Sequence, residues 1–206
     1  MSTSQAVTGN ASISAALTSY TDRLLADILV EFPRFRLVSK RDSPLSRAID
    51  RCLRLITLGR QNRFLTEYHT VIGETLYLAP SWSVMDDRAR YVLLCHERVH
   101  LRQRRRFGTV PMALLYLIPI LPIGLAIGRA WLEREAYRET LRATAEMYGI
   151  EAAAHPALRS SILARFIGPD YGWMWPFPKT VGKWYDCCVD ELRGQPATGS
   201  ANDSNG

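Results

Sequence analysis

His96 and His100 stand four residues apart in CHERVHLRQ, with Glu97 directly after the first histidine. On a helix that spacing stacks two imidazoles one turn apart on the same face, where they can share one ion. Glu97, one position on, falls beside that ion, where a carboxylate can take a proton from metal-activated water. The pattern points to zinc hydrolysis, with Zn2+ as cofactor and Glu97 as general base. Met85, Ala89, Val92, Leu93 and Val99 share the histidine face, and Arg98, Arg102 and Arg105 lie opposite.

A catalytic zinc needs a third protein ligand and an open position. His69 and His155 are the remaining histidines, but WLEREAYRETLRATAEMY, residues 131–148, offers a better candidate. In helical projection Glu133 falls at the centre of an apolar arc with Leu132, Ala136, Tyr137, Thr140 and Leu141. Glu135 falls with Arg138, Glu139, Arg142 and Glu146, whose i,i+3 and i,i+4 pairs need only solvent. A carboxylate on an apolar face is costly unless it is paired or metal-bound, so Glu133 is the expected third ligand and Glu135 the alternative. Cys95 adjoins His96 but points about 100° away from it and is not expected to be a ligand.

HERVH followed by a glutamate in EREAY resembles the gluzincin metallopeptidases. Around Glu133 and Ala136 the sequence is similar to the E-x-x-A-D of HtpX-type and CAAX-prenyl peptidases. It is also similar to small bacterial gluzincin-like proteins with HExxHxxQ and a later ExEAY. The likeness covers about residues 64–148 and is specific at the motifs. It implies that His96, His100 and Glu133 bind zinc and that Glu97 is the base. Tyr137 stands where the HtpX-type enzymes have Asp, and with Glu135 as ligand Glu139 would take that acidic position. The resemblance also implies a zincin fold with an edge strand lining the cleft; ETLYLAP is placed to be that strand and pair with an extended peptide, or else to be an ordinary core strand.

The elements that must hold these residues follow from periodicity. Residues 17–31 carry Leu17, Tyr20, Leu24, Leu25, Ile28 and Leu29 at helical spacing before Pro33. A second helix starts at Ser43 and Pro44 and stops at Gly59. Leu65 to Val71 and Thr75 to Leu78, rich in aromatic and β-branched residues around Gly73, predict a hairpin. Ser83 and Asp86 form the expected capping pair of the motif helix, which runs to about Arg106. Further helices are expected near 129–148, 156–166 and 178–193.

From Phe107 to Gly128 no residue is charged. One straight crossing of a bilayer would hold the histidines about 30 Å from Glu133, whereas zinc ligands lie about 2 Å from the ion. Pro119, Pro122 and Gly124 instead predict a turn, making 107–128 an apolar hairpin insert, buried or dipping into a membrane interface. Arg102, Arg104, Arg105, Arg106 and Arg129 flank it, suiting an anionic membrane surface.

The net charge is +6 over 206 residues, enough for one domain. The basic excess shows no nucleic-acid motif, so no nucleic-acid partner is expected. Cys52, Cys95, Cys187 and Cys188 have no CxxC spacing and are expected to be free thiols in a reducing compartment. With no basic start or apolar run before residue 15, no signal peptide is expected, and the location is cytoplasmic with possible docking to membrane. Tyr171, Trp173, Trp175 and Phe177 either line a cleft or lid the core, and Tyr137 or Tyr171 is the candidate oxyanion donor.

The expected architecture is α+β and mainly helical, zincin-like, with a short hairpin or sheet before the HExxH helix and a helical C-terminal part. Tails at 1–16 and 195–206 flank a single domain over 17–194. The expected function is zinc-dependent hydrolysis of a peptide or protein substrate. The alternative is a non-catalytic, zinc-stabilised or membrane-docking binding module.

Overall fold

The computed structural model describes residues 19–56, 66, 69–117, 126–168, 174, 175 and 177–194. The expected tails, the turn at Pro119 to Gly124, Tyr171 and Trp173 lie outside them. The protein is mainly helical with one three-stranded sheet. It forms two compact units, Met1–Leu94 and Cys95–Gly206, and the boundary between them falls inside the motif helix.

In the first unit, α1 (Tyr20–Glu31) starts at Ser19, whose hydroxyl accepts the Asp22 N–H at 3.0 Å. It buries Thr21, Leu24 and Ile28, spaced so that one face turns inward. Then come β1 (Arg36–Ser39), α2 (Pro44–Ile56), β2 (Thr70–Ile72) and β3 (Thr75–Leu78). Ser43 opens α2 by accepting from Ser46 N at 3.1 Å. Gly73, with φ 65°, makes the tight reversal between β2 and β3, a conformation that an L side chain rarely adopts.

The strand order is β1-β3-β2, with β1 parallel and β2 antiparallel to β3. Of the two readings of ETLYLAP, edge strand and core strand, the structure shows the second. Arg36 pairs with Thr75 and Ser39 with Leu78 on one side, and Thr70 pairs with Tyr77 on the other. Both sides of β3 are therefore taken, and peptide addition to its edge is blocked. The reading missed β1 because RLVS is four residues long, too short for alternation to stand out from its charged surroundings.

The motif helix, α3 (Asp87–Phe107), follows a 3-10 turn at Pro80–Val84. Its cap also corrects the sequence reading. Asp86 accepts the Ala89 N–H at 2.7 Å and does the capping alone, while the Ser83 hydroxyl donates to Pro80 O inside the 3-10 turn. The Asp87 carboxylate accepts from Tyr20 N and Thr21 N, putting a negative charge at the start of α1.

His69 joins the ends of the hairpin. Ala79 N–H donates to its Nδ1 at 3.2 Å, so the ring proton sits on Nε2, 3.3 Å from the Ser81 hydroxyl. Burial first and the Lys40 charge second hold its pKa down from 6.5 to about 4. Unfolding then takes up a proton between those values, so stability is complete above pH 6.5 and is lost as pH falls toward 4. Denaturant titrations at about pH 5 should give 1–2 kcal/mol less stability than at about pH 8 from this group. His69→Asn, which keeps an acceptor for Ala79, should remove that increment; an unaltered pH dependence would refute the assignment.

In the second unit, α3 ends at Gly108, whose φ of 84° turns the chain directly into α4 (Thr109–Leu117). There follow α5 (Ile127–Tyr148), α6 (Ile150–Ala153), α7 (Pro156–Ile167) and α8 (Pro178–Gly194). Leu141, Ala153, Ile162, Phe166, Met174, Val181 and Tyr185 form the core of this unit. Each fully buried Ile or Phe side chain contributes about 2 kcal/mol there. The Tyr185 hydroxyl donates to Ala153 O and ties α8 to α6. This packing fixes the roll of α5 about its axis, with Leu132, Ala136 and Leu141 fully buried. The outer face carries Arg142 between Glu139 and Glu146 at 2.7 and 2.8 Å.

Trp175 packs against this core, whereas Phe177 is exposed. Cys95, Cys187 and Cys188 are free thiols. Within the uncharged stretch α4 packs against α5, and among the described residues no helix is long and apolar enough to cross a membrane.

Candidate metal centre

The part of α3 that lies in the second unit, from Cys95 on, and α5 build the centre. His96, His100 and Gln103 follow one another at i, i+4 and i+7 along α3, and Glu133, Tyr137 and Thr140 do the same along α5. The helices run antiparallel, because His96 meets Thr140 while Gln103 meets Leu132. In that register Glu133 comes level with the histidines.

The Nε2 atoms of His96 and His100 lie 3.2 Å apart. Glu133 Oε2 is 3.7 Å from the first and 3.9 Å from the second. The point equidistant from the three atoms is about 2.1 Å from each, the bond length of a small divalent metal to nitrogen or oxygen. A tetrahedral site with such bonds has edges of about 3.3 Å, so closure around an ion needs a contraction of only a few tenths of an ångström.

The partners of the rings decide which nitrogens can bind. The Thr140 hydroxyl gives its one proton to Ala136 O at 3.2 Å, so toward His96 Nδ1, 3.0 Å away, it can only accept. With its proton on Nδ1, donated to Thr140, His96 would present Nε2 to an ion. The Gln103 amide nitrogen donates to Leu132 O at 3.0 Å and to Glu135 Oε2 at 2.8 Å. Its Oε1, 3.0 Å from His100 Nδ1, is then the acceptor, and His100 is protonated on Nδ1 as well. In that tautomer both Nε2 lone pairs face each other and a carboxylate oxygen. Three electron pairs converging in a nearly dry space repel one another, and a cation among them removes the conflict.

Burial first, and His100 second, hold the His96 pKa down from 6.5 to about 3, with Glu133 pulling the other way. The ring is neutral at physiological pH, as a ligand must be. His96 is the most open member, with its side chain 14% exposed against 3% for Glu133.

The other expected site residues are placed as follows. Glu97 is buried and lies outside the three-residue group, as does buried Cys95. Glu135 is exposed on its outer side and reaches the centre only through Gln103. The Tyr137 ring stands edge-on to His96, with centroids 4.9 Å apart. His69 belongs to the hairpin of the first unit, and His155 caps α7 by accepting from Ala157 N. Sequence reasoning gave no role to Thr140 or Gln103. The available signal was their position, seven residues beyond Glu133 and His96 on the same faces.

Such partners orient a ligand ring, and their loss typically costs about 10–100-fold in metal affinity. Thr140→Val and Gln103→Ala should each weaken divalent-metal binding by that factor in chelator competition. Thr140→Ser, which keeps the hydroxyl, should bind like the wild type. Equal affinities in all the variants would show that the rings are held by other means.

No protein-family model, curated protein or solved structure matches the chain. The centre stands on its own geometry: His96, His100 and Glu133 form a group that could hold a metal ion.

Proposed function

We propose that the protein is a zinc-dependent metallopeptidase of gluzincin type, with His96, His100 and Glu133 as zinc ligands. The observation that carries the reading is the convergence of the two Nε2 atoms of His96 and His100 and one Glu133 carboxylate oxygen around a point about 2.1 Å from each. Two nitrogens and one oxygen suit zinc, where magnesium and calcium favour oxygen alone.

Zinc held by His96, His100 and Glu133 would supply Lewis acidity toward a water and a substrate carbonyl. Glu97 takes the proton that the attacking water gives up and returns it to the leaving amine, so its carboxylate is regenerated in each turnover. Thr140 and Gln103 keep both histidines in the ligand tautomer. Tyr137 is the candidate donor to the carbonyl oxygen as charge develops there. The substrate is a peptide or protein.

The low exposure of Glu133 and His100 favours one second reading, a structural metal in a non-catalytic module. Glu97→Gln, assayed on a peptide library and for zinc content together, separates the two. Zinc retained with hydrolysis lost supports the peptidase. A wild-type protein that holds zinc, melts lower without it and cleaves nothing supports the module.

A further inference from the structure

We infer that α4 and the first turns of α5 form a docking face for an anionic lipid bilayer. Val110 and Leu114, one turn apart on α4, are 69% and 52% exposed. Ile127 and Trp131, one turn apart on α5, are 41% and 49% exposed, and the two helices pack together. Large apolar side chains left in water on adjoining helices need an apolar partner.

The charge beside them identifies it. The Arg106 guanidinium carbon lies 5.1 Å from the Phe107 ring centroid, and that ring meets Trp131 edge-on at 5.4 Å. A cation, a bridging ring and a half-exposed tryptophan thus form one continuous stack at the border of the apolar face. Tryptophan favours the level of the headgroups, arginine favours their phosphates, and aliphatic side chains favour the acyl layer just below. Arg105 and Arg106 are exposed in the last turn of α3, at the border of this face. An anionic bilayer meets both halves of the face, and with no membrane-crossing helix among the described residues the contact is interfacial.

The test is sedimentation of the full chain with phosphatidylcholine vesicles and with vesicles containing about 30% phosphatidylglycerol. The anionic vesicles should bind at least about tenfold more tightly. Arg105→Glu with Arg106→Glu should abolish that preference, and Val110→Asp with Leu114→Asp should weaken binding to the anionic vesicles by about tenfold or more. All variants are first matched to wild type in circular dichroism and metal content, which shows that fold and centre are intact. Equal binding to both vesicle types, or aspartate variants that bind like wild type, would overturn the inference. So would a lipid-free dimer that Val110→Asp with Leu114→Asp converts to monomer.

Discussion

Glu97→Gln should keep about one zinc per chain and lose about 10²–10⁴-fold in peptide hydrolysis. Glu97 is buried in α3 beside His96, and glutamine has nearly the same volume, so packing and both histidine ligands are retained. Glutamine cannot take up a proton. A thousandfold loss corresponds to about 4 kcal/mol of transition-state stabilisation, far more than the exchange of one buried acceptor for an isosteric amide would alter binding. Metal content separates the causes: hydrolysis lost together with zinc would mean that the substitution damaged the centre. A variant that holds zinc and cleaves as fast as wild type would remove Glu97 from the mechanism.

Glu133→Ala should lower zinc affinity by more than about 100-fold, whereas Glu135→Ala should lower it by tenfold at most. Glu133 is 2% exposed and contributes one of the three converging atoms. Without it the ligand atoms are two neutral imidazoles, with no charged ligand to offset the ion. Glu135 acts through Gln103, which keeps its bond to Leu132 O when Glu135 is removed. At a fixed zinc concentration well above the wild-type dissociation constant, a 100-fold weaker site forfeits up to about 2.7 kcal/mol of ligand-linked stability. The Glu133→Ala protein should therefore lose most of its thermal shift with zinc, and Glu135→Ala should keep it. The reverse order would move the third ligand to Glu135, and equal zinc binding in both variants would leave the carboxylate of the site unassigned to either.

Much of the helical architecture is visible in the sequence because a helix is a local object. Leu24 and Ile28 of α1 turn inward as their spacing requires, and the i,i+4 histidines share a face wherever their helix packs. The apolar arc around Glu133 is also a local property, and its burial follows once any partner covers that face. Strand order is not local. β1 slips beside β3 from more than thirty residues upstream, and a four-residue run announces no such pairing.

The sequence alone pointed to two histidines on one helix face and to a carboxylate on a second helix, Glu133 on its apolar arc with Glu135 as the alternative. Helical periodicity repeats every few residues and needs no distant contact to be read. Only the tertiary structure decided that α3 and α5 run antiparallel in a register setting His96 against Thr140 and Gln103 against Leu132. That register brings the Nε2 atoms of both histidines to Glu133, orients His100 through Gln103 and leaves Glu135 outside the group. It depends on packing between residues about thirty to forty-four apart in the chain, where no periodicity in either segment carries the information.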